Sequence, residues 1–153
     1  MLDLKLFVSS REWANATLAE IKFFFPEYKQ IVISITEPDN YPAELDHDEE
    51  FILRLSFHDL TSRDSEYRHQ LPNCTFFDEK NAEKIVSFLK IYMVAQLSIL
   101  VHCEAGISRS AAVAGAILKH YTGDDKLIFS DKKYTPNMLV YSILLKALYF
   151  GDP

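Results

Sequence analysis

Leu97-Ser98-Ile99-Leu100-Val101-His102-Cys103-Glu104-Ala105-Gly106-Ile107-Ser108-Arg109-Ser110 passes from an apolar run into a small, glycine-containing loop, and Ala111 to Leu118 continues it as an alanine-rich run. That order predicts a strand, a tight loop and a helix, with a cysteine six positions before an arginine. A free thiol, pKa about 8.5, is mostly protonated at neutral pH, and its thiolate is the nucleophile. Just ahead of a helix N-terminus, Cys103 meets unpaired backbone N–H groups and the positive end of the helix dipole, which favour the thiolate. The same groups form a cradle for a tetrahedral oxyanion. Gly106 lets the loop turn back without a Cβ clash. Arg109 offers a planar fork for two phosphate oxygens at once. Ser110 offers a hydroxyl to the sulfur when it leaves. These residue types at this spacing point to attack of a thiolate on a bound phosphate.

The stretch HCEAGISRS resembles the signature loop of the cysteine-dependent protein tyrosine phosphatases: Cys, five residues, Arg, then Ser or Thr. It is most similar to the dual-specificity branch and the small bacterial and viral phosphatases related to it. The resemblance implies a three-layer α/β fold with a mostly parallel central sheet flanked by helices, in one phosphatase domain over residues 1–153. It also implies a phosphocysteine on Cys103, phosphate held by Glu104, Ala105, Gly106, Ile107, Ser108 and Arg109, and Ser110 assisting the sulfur. In that family the histidine before the nucleophile is structural, so His102 is expected to support the loop rather than act as a base. No cofactor and no metal is implied. The likeness extends from Phe51 to about Ser110 and reappears at Pro136-Asn137 and the helix behind them; the first 50 residues match only weakly.

The chemistry also needs a carboxyl group that protonates the leaving oxygen and later activates water. The family carries it as an aspartate on a loop after the preceding strand. Asp59 lies 44 residues before Cys103 and follows the strand-like run ending at Ser56-Phe57-His58. It is preferred over Asp64, 39 residues before, while Asp78, 25 before, reads as a helix N-cap. The gap is long for a compact dual-specificity enzyme. The segment Thr61 to Pro72 therefore looks expanded, and such a loop is able to close over substrate. His58 reads either as a loop-orienting residue or as surface, with surface favoured. Arg63, Arg68 and His69 read first as solvated loop charges, and a disulfide between Cys74 and Cys103 is a minor alternative.

Composition bounds the rest. The chain has 153 residues, enough for one domain with a sizeable core. Hydrophobic residues at 48% and charged residues at 25% exclude a disordered chain. A net charge of −6 argues against nucleic-acid or anionic-membrane binding. Two cysteines fit a reducing compartment better than a disulfide framework. The opening Met1-Leu2-Asp3-Leu4-Lys5 predicts no secretory signal, and no apolar run reaches a membrane span, so a cytoplasmic monomer is expected.

Strand and helix patterns alternate along the chain. Strands are predicted at Lys5–Ser9, Ile31–Ile35, Phe51–Phe57 and Ser98–His102. Ser9 or Ser10 is expected to cap a helix reaching Phe24, with Ala14, Leu18, Ile21 and Phe25 on one face and Pro26 ending it. Glu37-Pro38-Asp39-Asn40 stops the second strand, and Glu44 to Glu50 reads as a solvated acidic loop. Asp78 opens a helix carrying Ala82, Ile85 and Leu89. Tyr134-Thr135-Pro136 is expected to start a last helix with Met138, Tyr141, Leu145 and Leu148 facing the core. Strands separated by helices imply a parallel sheet, with catalytic groups at its carboxyl ends.

Three readings remain open. The first is a phosphatase for phosphotyrosine, with phosphoserine and phosphothreonine as further substrates. The second is the same fold acting on a nucleotide, an RNA 5′ end or a sugar phosphate. The third is a module that binds phosphorylated partners without turnover. The loop interior has no lysine, which leans away from highly phosphorylated lipids.

Overall fold

The computed structural model describes residues 1–151. In chain order it comprises β1 (Asp3–Ser10), α1 (Ala14–Phe24), β2 (Lys29–Thr36), β3 (Ile52–Ser56), α2 (Ser62–Ser65), α3 (Glu79–Tyr92), β4 (Gln96–Cys103), α4 (Arg109–Thr122), α5 (Lys126–Phe129) and α6 (Met138–Phe150). Two short 3₁₀ turns, Glu49–Phe51 and Arg68–Gln70, lie in the loops. The strands form one sheet in the order β1-β4-β2-β3, and each neighbouring pair is parallel. The three-layer α/β expectation holds, and the sheet is parallel throughout its described strands.

β4 is inner and covered on both faces, which is why its sequence is an almost unbroken apolar run. Its alternation assigns the faces. Leu97, Ile99, Val101 and Cys103 point into the larger core with Ile85, Leu89, Val113, Ile117 and Leu144 from α3, α4 and α6. Leu100 points the other way, onto Ala14, Leu18 and Ile21 of α1. α1 thus covers one face, and α3 and α4 cover the other with α6 packed on them. As expected for a helix apolar nearly all round, α4 is buried from Arg109 through Leu118.

Several local expectations shift. β1 runs on to Ser10, so Ser9 and Ser10 are strand residues opposite His102 and Cys103 rather than helix caps. α1 starts behind Trp13 with no side-chain cap; the Ser10 hydroxyl instead accepts from the Trp13 N–H at 3.2 Å. Phe25 leaves the helix and packs against Phe7 and Tyr28. Phe51 belongs to the 3₁₀ turn ahead of β3. The last helix begins behind Asn137, not at Tyr134, and it buries Val140, Leu144 and Leu148 while Met138 is exposed. Its sequence is apolar on every side, so spacing alone does not choose the buried face; contact with α3 and α4 does. No helix among the described residues is long and apolar enough to cross a membrane.

Candidate active site

A parallel sheet brings all its strand C-termini to one edge. Here that edge carries Ser10 of β1, the residues after Thr36 of β2, those after Ser56 of β3, and Cys103 of β4. Cys103 is 2% exposed. Its sulfur accepts the Gly106 N–H at 3.2 Å and lies 3.1 Å from the Ser110 hydroxyl. Gly106 sits at φ +71°, and a Cβ there would come within 2.5 Å of the Ser9 carbonyl carbon and 2.6 Å of the Ser10 nitrogen. The loop can fold back over its own sulfur only because that residue is glycine. The rim is tied to β1 as well: the Arg11 N–H donates to the Glu104 carbonyl at 3.2 Å, and the Glu104 carboxylate faces Arg11 and Asn40, each at 3.4 Å.

His102 points to the α1 side, fully buried. Its Nδ1 lies 3.4 Å from the Cys103 carbonyl, which only accepts, so Nδ1 carries the proton. Nε2 then accepts from the Ser34 hydroxyl of β2 at 2.6 Å. Burial pushes its pKa down, which keeps the ring neutral.

Arg109 opens α4 and is 5% exposed. One terminal nitrogen donates to the Phe57 carbonyl at 2.9 Å and the other pairs with Glu37 at 2.7 Å. The ends of β3 and β2 thus fix the guanidinium plane. Its Nε is buried without a partner. A buried donor left unpaired costs about 1–3 kcal/mol, so this N–H is an unused donor.

Asp59 lies just past β3. Its Oδ1 accepts from the Ser108 hydroxyl at 2.9 Å and from Asn137 Nδ2 at 2.8 Å. Ser108 is the N-cap of α4 and makes no side-chain cap; its hydroxyl donates to Asp59. Asp64 is occupied within α2, where its carboxylate takes the Thr61 N–H and hydroxyl; those bonds hold it below the usual carboxylate range. Asp78 caps α3 in a reciprocal pair with Asn81. Arg63, Arg68 and His69 are exposed, with Arg68 over the Phe76 ring at 4.4 Å. Cys74 is a half-buried free thiol.

Two residues escaped the reading of the sequence. Glu37 was visible only as part of a strand stop; its place at a strand C-terminus was the available signal. Asn137 is 4% exposed and binds three elements together. Its Oδ1 caps α6 through Leu139 and Val140, its Nδ2 reaches Asp59 and the Leu60 carbonyl, and its backbone N–H reaches the Ser108 carbonyl. An Asn ahead of an apolar helical run signals the cap, but not the long-range contacts.

No family model matches the chain, and no curated protein matches it in sequence. Solved structures do. Human DUSP28 superposes with a TM-score of 0.61 at 20% identity, over 94% of this chain and 91% of that one. Human tyrosine phosphatase-like serine/threonine/tyrosine-interacting protein gives 0.59 at 21% identity, over 95% and 93%. PTPMT1 in complex with PI(5)P gives 0.57 at 17% identity, over 95% and 90%. This chain has the fold of the dual-specificity and tyrosine phosphatases.

Proposed function

We propose that the protein is a phosphatase that hydrolyses phosphate monoesters through a phosphocysteine on Cys103. The observation that carries this reading is a buried sulfur that accepts an amide of its own glycine-turned loop, followed six residues on by a buried arginine whose Nε–H has no partner. Phosphate sits on the loop amides of 104–108, with Arg109 donating to its oxygens from Nε and the adjacent terminal nitrogen. The Cys103 thiolate attacks phosphorus; the P–S bond forms as the P–O bond to the leaving group breaks. Asp59 gives its proton to the departing oxygen. In the second step Asp59, now a carboxylate, takes a proton from water as that water attacks phosphorus. The P–S bond breaks, inorganic phosphate leaves and the thiolate returns, with the Ser110 hydroxyl donating to it. Asp59 is favoured over Asp64 because it is held against the loop by Ser108 and Asn137, whereas Asp64 is spent on Thr61.

The substrate class is phosphorylated protein, phosphotyrosine first. PTPMT1, a structural neighbour, is known in complex with PI(5)P, but the two arginines that touch this loop each already hold a carboxylate, Arg11 with Glu104 and Arg109 with Glu37. That charge balance suits one phosphate better than several. A binding-only role would not require an acid held at the loop.

The test is hydrolysis of para-nitrophenyl phosphate and of phosphotyrosine, phosphoserine and phosphothreonine peptides with EDTA present. Turnover that persists in EDTA, stops with vanadate and disappears in Cys103→Ser is the expected result. Tight phosphopeptide binding by a wild-type protein without turnover would establish the binding module instead.

A further inference from the structure

We infer that His58 is a positioning residue that sets the acid, acting through Asp59; the inference rests on the phosphatase reading above. Residues 59–74 leave the sheet and return. At the neck of this excursion the His58 N–H donates to the Thr75 carbonyl at 2.8 Å, and the Thr75 N–H donates to His58 Nδ1 at 2.9 Å. The two bonds run in opposite directions between the same pair of residues. An imidazole nitrogen thus takes the place of a backbone carbonyl and closes the loop at its base. Asp59, the first residue beyond the neck, is thereby separated from the exposed tip at Arg63 to Gln70. Orientation comes from the neck, and the grip of Ser108 and Asn137 completes it.

The ring state follows from the bond. A nitrogen that accepts an N–H is unprotonated, so the neutral ring carries its hydrogen on Nε2. One ring nitrogen of His58 and one carboxylate oxygen each of Glu37 and Asp39 lie within 4.8 Å of one another. These are metal-ligand residue types, but Glu37 is engaged by Arg109 at 2.7 Å and His58 Nδ1 by Thr75. The cluster is instead a junction. Glu37 sets the phosphate-binding arginine, His58 sets the proton donor, and the two meet. The acid and the guanidinium are thereby held relative to each other across two strand ends.

The experiment compares phenyl phosphate, whose poor leaving group needs the acid, with para-nitrophenyl phosphate, whose phenolate leaves with little help. His58→Phe keeps a ring but loses the acceptor. It should lower kcat/KM, which reports the first, acid-assisted step alone, at least about tenfold on phenyl phosphate and less than about threefold on para-nitrophenyl phosphate. His58→Asn, with Oδ1 where Nδ1 stood, should restore kcat/KM on phenyl phosphate. In an Asp59→Asn background His58→Phe should cost nothing further. Should His58→Phe not fold, His58→Gln replaces it: its acceptor lies one methylene too far for Thr75, and the same selective loss is expected. Equal losses on both substrates, or an additive loss without Asp59, overturn the inference. Absence of wild-type turnover on either substrate instead overturns the phosphatase reading itself.

Discussion

His102 sits inside the sheet one residue before Cys103, bonded to the Cys103 carbonyl and to Ser34. Burial lowers its pKa below the ordinary 6.5. The sign of its effect on stability follows. Above pH 6.5 the ring is neutral in both folded and unfolded chains, and its contribution is fully present. Below that, the unfolded chain binds a proton the folded one refuses, so stability falls as pH drops from 6.5 toward the folded value. Thermal melts from pH 7.5 to 5.0 should show a declining Tm that is shallower in His102→Gln. An equal slope in both would assign the decline to other groups. A supporting role for this residue was expected only from the resemblance of the HCEAGISRS loop. Its partner Ser34 was not, since the register Ser34↔His102 joins positions 68 apart.

At the scale of elements, α6 does two separable jobs through Asn137. Oδ1 caps the helix, an interaction worth about 1 kcal/mol, while Nδ2 holds Asp59 and Leu60. Asn137→Ser keeps a hydroxyl for the cap and loses the reach of Nδ2. The expected outcome is a Tm within about 3 °C of wild type with kcat on phenyl phosphate reduced about tenfold or more. Asn137→Ala should lose both. A large Tm loss in Asn137→Ser would show that the two jobs are one. The same helix marks the limit of pattern reading. β4, the loop and α4 were legible because a short β-branched apolar run, a glycine and an alanine-rich run follow one another directly, an order that reads as strand, turn and helix. In α6, Met138-Leu139-Val140-Tyr141-Ser142-Ile143-Leu144 offers apolar residues on all sides, and the buried face turned out to be Val140, Leu144 and Leu148. Packing against α3 and α4 made that choice, and no local pattern encodes it.

Across the whole molecule, the candidate site is assembled from residues that are far apart in the chain: Gly106 against Ser9, Arg109 against Glu37 and Phe57, Asp59 against Asn137. Only the nine-residue loop is local, which is why it was readable while the grip on Arg109 was not. An unfolded chain holds no such cradle, so an oxyanion binds the folded state alone and must stabilise it. Tungstate at about one hundred times its Kd should add about 2.7 kcal/mol, which for a chain of this size raises Tm by about 5–10 °C. Arg109→Lys loses the planar fork and the buried Nε–H, and its shift should fall below about 2 °C at the same concentration. Cys103→Ser keeps the loop amides and Arg109, so its shift should persist although turnover is gone. Loss of the shift in Cys103→Ser, with retention in Arg109→Lys, would mean the anion is held by the sulfur rather than by the arginine and the loop. The unpaired Nε–H would then belong to the packing of α4, and phosphate recognition would have to be sought elsewhere on the edge where the four strands end.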